Sequence, residues 1–365
     1  MQKNGMQGVF SIGRVQTPTL YLIYQRNKEI EQFISKPFYE LYANFTHAKG
    51  TYRGKYTKHF DSELELDEFK KKNQLIDNSK GLIVEVKTEE KKTYAPKLFS
   101  LSDLQATANK KLGYDALETL KIVQDLYEKK LVSYPRTDSN YIGRPEFEYL
   151  KENLSNYLSL VGESIEKPQL HENKRYVDGS KVQEHYSIIP TKTVANLDKL
   201  AEKEKSMYKL ILYRTLAIFE KPYVYDETNI TTTINTVPFK TTRKVEKELG
   251  WKKLYIKEKK DSKEIEPTLP NVLMNDTVIS NPETKKGLTQ PPKYYTEGTL
   301  ITAMKNVGGS SDTKENKDIL KETEGIGTEA TRANVIETLK KTRIYYCSKE
   351  KYPCYRKGKN TLRDY

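Results

Sequence analysis

Two stretches of strand-like text bracket a helical middle, and this order constrains the chain more than any other feature. From Phe38 to Val86 apolar and polar residues alternate; Phe38–Phe45 reads as one strand and Gly81–Val86 as another. The pattern returns over 223–258, in Tyr223–Tyr225, Thr231–Ile234 and Trp251–Ile256. One β domain interrupted by an insert over about 96–222 is the simplest arrangement, so the expected class is α+β and multidomain.

The insert has its own punctuation. Ser102 followed three residues on by Gln105 has the spacing of a capping box, and Gly113 ends the helix that Ser102 opens. A second helix is predicted over Tyr114–Lys130, with Leu117, Leu120, Val123 and Tyr127 along one stripe. Leu131–Tyr134 then reads as a short strand stopped by Pro135, which fixes φ and lacks an N–H. Helix, Gly turn, helix and strand suit a winged-helix unit and equally an ordinary helical hairpin. Before the β text, Thr17 and Pro18 read as the N-cap and first residue of a helix carrying Leu20, Ile23, Tyr24, Ile30 and Phe33. After it, Tyr295–Met304 leads into a polar stretch over 309–323, and Gly325–Arg332 opens a further helix through Leu339.

Composition narrows the partners. The 365 residues carry 63 Lys+Arg against 50 Asp+Glu, a net charge of +13, which suits a polyanion but fits a general drift towards Lys as well. Cys347 and Cys354 form no Cys-x-x-Cys pair, so no zinc ribbon is supported, and so few cysteines fit a cytoplasmic chain without structural disulfides. No apolar run is long enough to span a bilayer, and Met1–Phe10 lacks a signal-peptide pattern.

Chemistry concentrates in Ser133-Tyr134-Pro135-Arg136-Thr137-Asp138-Ser139. A phenol at a strand end can attack phosphorus and later leave again, which suits a cut that must be resealed. Arg136, two residues on, can meet the charge on a phosphate, and Asp138 can orient or pair with Arg136. His185, in Glu184-His185-Tyr186-Ser187-Ile188-Ile189-Pro190-Thr191, can donate to a phosphate or simply be a satisfied core histidine. Gly325-Ile326-Gly327 before a helix can bind an anion or be a plain turn. Arg14 and Arg332 can line a groove for single-stranded DNA, with tyrosines available for base stacking.

These signals follow one another in an order that resembles the type IA DNA topoisomerases, most closely the bacterial topoisomerase III group. The motifs are Gly13-Arg14-Val15-Gln16-Thr17-Pro18-Thr19-Leu20, the Tyr134 run, His185-Tyr186-Ser187-Ile188-Ile189-Pro190-Thr191, Pro291-Pro292-Lys293-Tyr294-Tyr295-Thr296-Glu297 and Gly325-Ile326-Gly327-Thr328-Glu329-Ala330-Thr331-Arg332. They cover about residues 11–340. The resemblance implies a toroidal clamp: a helical base over 1–37 and 287–340, a β arch over 38–95 and 223–286, and a winged-helix-like catalytic domain over 96–222. It implies that Tyr134 forms a 5′-phosphotyrosine, that Arg136 positions tyrosine and phosphate, and that His185 supports the cleavage-site phosphate. Arg14, Gln16, Asp138, Thr331 and Arg332 are the expected DNA contacts. Strand passage would change linking number without ATP, on negatively supercoiled or single-stranded DNA at the bacterial nucleoid or a plasmid, by a monomer.

The sequence also departs from that family. Members begin with a TOPRIM domain whose Asp-x-Asp-x-Glu cluster binds Mg²⁺, and only ten residues precede Ser11 here. Asp61-Ser62-Glu63-Leu64-Glu65 is a look-alike in a polar surface stretch and is set aside. The expectation is therefore a fragment that binds no metal itself, with Mg²⁺ supplied through a separately encoded TOPRIM segment. Residues 341–365 read as an out-of-frame tail. The alternative is a non-catalytic remnant that binds single-stranded DNA. A tyrosine recombinase or relaxase is not supported, since neither spaced catalytic Arg and His residues nor a His-hydrophobic-His motif is found.

Overall fold

The computed structural model describes residues 13–258, 269–307 and 325–341. Along the chain these form α1 (Gln16–Glu31), β1 (Pro37–His47), β2 (Gly50–Phe60), α2 (Glu63–Lys72), β3 (Ser79–Thr93), α3 (Leu101–Leu112), α4 (Ala116–Glu128), α5 (Arg144–Glu152), α6 (Leu154–Val161), α7 (Glu202–Leu216), β4 (Tyr223–Ile234), β5 (Val237–Glu248), β6 (Thr277–Leu288), α8 (Glu297–Asn306) and α9 (Glu329–Lys341). Two compact units result: one draws its described residues from Met1–Gln32, Pro96–Glu220 and Pro292–Tyr365, the other from Phe33–Ala95 and Lys221–Pro291. The supposed insert thus shares a unit with the helices on either side of the β text. The proposed out-of-frame tail lies outside the described residues beyond Lys341.

The second unit is a closed antiparallel barrel in the order β1-β2-β5-β4-β3-β6, with β6 returning to β1. Alternation drives it. Leu41, Ala43 and Phe45 turn inward and are fully buried, while Tyr42 and Asn44 point out. Phe45 meets Tyr52 at 5.1 Å between ring centroids and Phe239 edge-on at 5.9 Å, and Leu66 of α2 joins the same core. Closing the sheet removes the free edges that six strands would otherwise expose.

Trp251–Ile256 is not a strand, as its alternation predicts, but part of a 3-10 helix over Gly250–Glu258. Gly250 takes a positive φ of 49° and turns the chain back, so Trp251 N–H bonds to Lys221 O (2.9 Å) and its indole N–H to Thr93 O (2.8 Å). Trp251 and Leu254, three apart, then share a helical face.

In the first unit the sequence places the helix starts slightly wrong. α1 opens at Gln16 with Val15 at its N-cap, and Pro18 is its third residue, where a missing N–H still costs nothing. α3 is capped by Ser100, not Ser102: the Ser100 hydroxyl accepts from Asp103 N–H (3.3 Å) and donates to Asp103 Oδ2 (2.8 Å). Ser102 lies inside the first turn, and Gln105 instead donates to Ala116 O. Gly113 ends α3 at φ 71°, as expected.

The first turns of α3 and α4 are held by distant carboxylates in two matching constructions. Ser102 N–H donates to Glu329 Oε2 at 2.5 Å, and Ala116 N–H donates to Glu297 Oε2 at 2.9 Å. Each carboxylate is bridged by a lysine to an aspartate in the start of the helix it serves. Lys305 lies 3.8 Å from Glu329 and 3.7 Å from Asp103; Lys340 lies 2.8 Å from Glu297 and 4.0 Å from Asp115. Anions at helix N-termini satisfy free amides and oppose the helix dipole. Beside them an apolar cluster gathers Ile23, Ala116, Leu300, Met304, Ile336 and Leu339 among others. No helix among the described residues is long and apolar enough to cross a membrane.

Candidate active site around Tyr134

The strand expected at Leu131–Tyr134 shrinks to one bridge, Val132 to Pro190. Pro190 and Pro135 have no N–H to extend the ladder. Ser133 N–H to Ile189 O (2.9 Å) and Thr191 N–H to Leu131 O (3.0 Å) are the main-chain links at this point. The segment beyond stays extended, and its burial alternates: Ser133, Pro135, Thr137 and Ser139 are buried, while Tyr134 and Asp138 are half-buried and Arg136 is exposed. Period two therefore puts Tyr134, Arg136 and Asp138 on the outward side.

The Tyr134 ring has two aromatic neighbours. His185 lies 4.4 Å away between centroids at an interplanar angle of 47°, and Tyr127, from the last turn of α4, sits edge-on at 5.5 Å. His185 is exposed, so its imidazole is open to a ligand, not sealed in the core. Among the described residues no ion pair joins Arg136 to Asp138, so the suggested pairing is not formed; Arg136 is exposed and Asp138 half-buried, and a pair reaching into solvent gains little.

The outlying candidates divide. Arg14 is exposed, and Gln16 is half-buried at the start of α1. A Cβ on Gly327 would stand 2.9 Å from Val15 Cγ1 and 3.1 Å from Thr331 Oγ1, so the turn that carries Arg14 adjoins the start of α9, which carries Thr331. Thr331 is exposed, but its hydroxyl accepts from Thr328 N–H at 2.9 Å. Arg332 is a correction. It is 1% exposed, and its guanidinium donates to Ile326 O, Gly327 O, Ser102 Oγ and Glu329 Oε1. It braces the glycine loop from inside and does not face a groove.

The sequence profile described as DNA topoisomerase matches residues 1–361. The chain belongs to the type IA DNA topoisomerase family. It is 37% identical to DNA topoisomerase 3 of Bacillus licheniformis over 344 residues, 90% of this chain and 46% of that protein. Against DNA topoisomerase 3 of Bacillus subtilis it is 35% identical over 348 residues, again 90% of this chain and 47% of the relative. The chain thus spans about half the length of these topoisomerases. The full-length topoisomerase I of Thermotoga maritima shares the fold, with a TM-score of 0.67 and 24% identity over 93% of this chain and 52% of that one.

Members of this topoisomerase family are generally Mg²⁺-dependent through TOPRIM. Among the described residues no group of three or more His, Cys, Asp or Glu side chains is placed to hold a metal ion, so these residues do not fit that site. Asp61 and Glu65 serve α2 instead: Ser62 caps it by accepting from Glu65 N–H, and Asp61 N–H donates to Glu65 Oε2.

Sequence reasoning missed two parts of the site. Tyr127 lies on the apolar stripe of α4, yet it is 39% exposed and packs on Tyr134. Thr137 passes for a turn residue, yet it is buried and its hydroxyl donates to His185 O at 2.9 Å. A hydroxyl directly after an outward-facing Arg in a period-two segment, and so on the inward side, is the signal that would have found it.

Proposed function

We propose that Tyr134 is the nucleophile of a type IA topoisomerase active site of which this chain supplies the tyrosine-bearing part. The observation that carries this reading is Tyr134 on the outward side of an extended segment, in ring contact with exposed His185 and in step with exposed Arg136. The Tyr134 oxygen attacks a backbone phosphorus of single-stranded DNA as the phenol gives up its proton. The bond from phosphorus to the 3′ oxygen breaks, that oxygen takes up a proton, and the phosphate stays on the 5′ end as phosphotyrosine. Attack by the same 3′-hydroxyl reverses the step, so sealing needs no nucleotide hydrolysis. Arg136 offers a planar set of donors to the phosphate as its charge shifts. His185 donates a hydrogen bond to a phosphate oxygen. Arg14, Gln16, Asp138 and Thr331 contact the strand, while Arg332 supports the glycine loop that leads into α9, whose first turn carries Thr331.

The remaining groups come from a TOPRIM segment that carries Mg²⁺, and the duplex acted on is negatively supercoiled. The test combines this chain with a TOPRIM segment, Mg²⁺ and an end-labelled single strand. A covalent protein–DNA adduct on the 5′ end created at the break, with a free 3′-hydroxyl on the other fragment, is expected, and Tyr134→Phe abolishes it without lowering stability. An adduct that persists in Tyr134→Phe refutes the assignment. Salt-sensitive strand binding without any adduct in the wild type would support the non-catalytic reading instead.

A further inference from the structure

We infer that Thr137 is a positioning residue that fixes the distance between Tyr134 and His185; the inference rests on Tyr134 being the nucleophile. The two segments that carry these rings have little main chain in common. The ladder between them stops at the Val132–Pro190 bridge, because Pro135 and Pro190 cannot donate. Buried hydroxyls continue where amides cannot. Ser133 Oγ donates to Ser187 O (2.9 Å) and accepts from Ile189 N–H (2.9 Å). Thr137 Oγ1 donates to His185 O (2.9 Å) and accepts from Ser139 N–H (3.1 Å). Among the described residues this is the one hydrogen bond that reaches His185.

Thr137 is also tied at its other end. Its carbonyl accepts from Leu101 N–H (2.9 Å) at the first residue of α3, and its N–H donates to Pro135 O (3.0 Å). It is only 2% exposed. One residue thus connects a helix start through its carbonyl, and the tyrosine and histidine segments through its hydroxyl. Replacing the hydroxyl by a methyl of the same shape leaves His185 O without its protein donor. Because His185 is exposed, that carbonyl can turn to water and carry the ring away from Tyr134.

The chain holds four histidines, so the imidazole region of its NMR spectrum resolves His185 from His47, His59 and His171, with His185→Gln assigning the peak. The Tyr134 ring at 4.4 Å shifts the His185 signal, and Tyr134→Ala gives the position without that ring. In Thr137→Val the signal is expected to move more than halfway to the Tyr134→Ala position while the other three stay in place. Thr137→Ser, which keeps the hydroxyl, is expected to match the wild type. An unmoved His185 signal in folded Thr137→Val, or Thr137→Ser behaving like Thr137→Val, overturns the proposal. If Thr137→Val does not fold, Thr137→Ala is compared with Thr137→Ser, and agreement between those two overturns it equally.

Cleavage of the labelled strand in the presence of the TOPRIM segment tests the consequence for chemistry. Thr137→Val is expected to lower kcat roughly 10- to 100-fold at unchanged KM, since misplaced reacting groups lose rate and not binding. Wild-type kcat in Thr137→Val sinks the positioning role. Absence of cleavage by the wild type sinks only the nucleophile assignment, because the NMR result stands without it.

Discussion

Glu329→Ala is expected to be among the most damaging single changes in this chain, and its effect can be worked from the contacts. The Glu329 side chain is 7% exposed and that of Arg332 is 2% exposed, with 2.8 Å between Oε1 and Nη1. Removing the carboxylate takes from a buried guanidinium the counter-charge it meets at 2.8 Å, which typically costs about 3–5 kcal/mol. It also leaves Ser102 N–H without its acceptor, at about 1–3 kcal/mol if water cannot reach it. The two losses share one carboxylate and do not simply add, so the expected total is about 3–5 kcal/mol, or roughly 150- to 5,000-fold in the folding equilibrium. Native-state hydrogen exchange is the suitable assay, because it reads the unit containing α3 and α9 separately from the barrel. The Ser102 amide should lose protection first. Glu329→Leu combined with Arg332→Leu should be less destabilised than the sum of the single changes by about 2 kcal/mol or more, since an apolar pair can replace a buried ion pair. A loss below about 1 kcal/mol in Glu329→Ala, or strict additivity in the double variant, would refute this account.

Two further outcomes are expected. Gly325 sits at φ 88°, and an added Cβ would overlap Met304 O and stand 2.6 Å from Lys305 O, so Gly325→Ala should cost at least about 1–3 kcal/mol in thermal unfolding; wild-type stability would show the loop to be adaptable. Burial pushes the Tyr208 phenol up from its ordinary value of 10 to about 12. Its folded-state pKa is therefore raised, so its contribution is complete below pH 10 and is lost as pH rises towards 12. Tyr208→Phe should flatten the decline of stability between pH 10 and 12, and an unchanged slope in chemical denaturation would assign the decline elsewhere.

Parts of β1, β3 and β4 were legible because alternation states which side of each residue faces inward, whereas β2, β5, β6 and the closure into a barrel were not. Leu41, Ala43 and Phe45 follow that rule to full burial. Trp251–Ile256 was misread because alternation over six residues carries no information about Gly250, whose positive φ redirects the chain. In the candidate site, Tyr134 and Arg136 share a side for a reason visible in the sequence, the period of an extended segment. That His185 lies beside Tyr134 was not visible in spacing and came only through family resemblance. Arg332 was misjudged because an arginine in a glycine loop looks the same in sequence whether it faces a phosphate or a buried carboxylate. Only the fold brings Ser102 to it. Tyr127 was hidden for the opposite reason: it continues an apolar stripe in which Leu120 and Val123 are buried.

The paired carboxylate anchors of α3 and α4 also bear on how the chain is made. Ser102 N–H and Glu329 are 227 residues apart in sequence, and Ala116 N–H and Glu297 are 181 apart. A ribosome adding about 5–20 residues per second needs on the order of 10–45 s to cover either gap. During that interval both helices have emerged, while the acceptors of their first-turn amides have not yet been synthesised. The tyrosine-bearing segment consequently spends the time as a helix pair with open amino ends, and becomes fully fixed only when the last helices arrive. Synthesis halted before residue 297 would leave Tyr134 on an unfinished support.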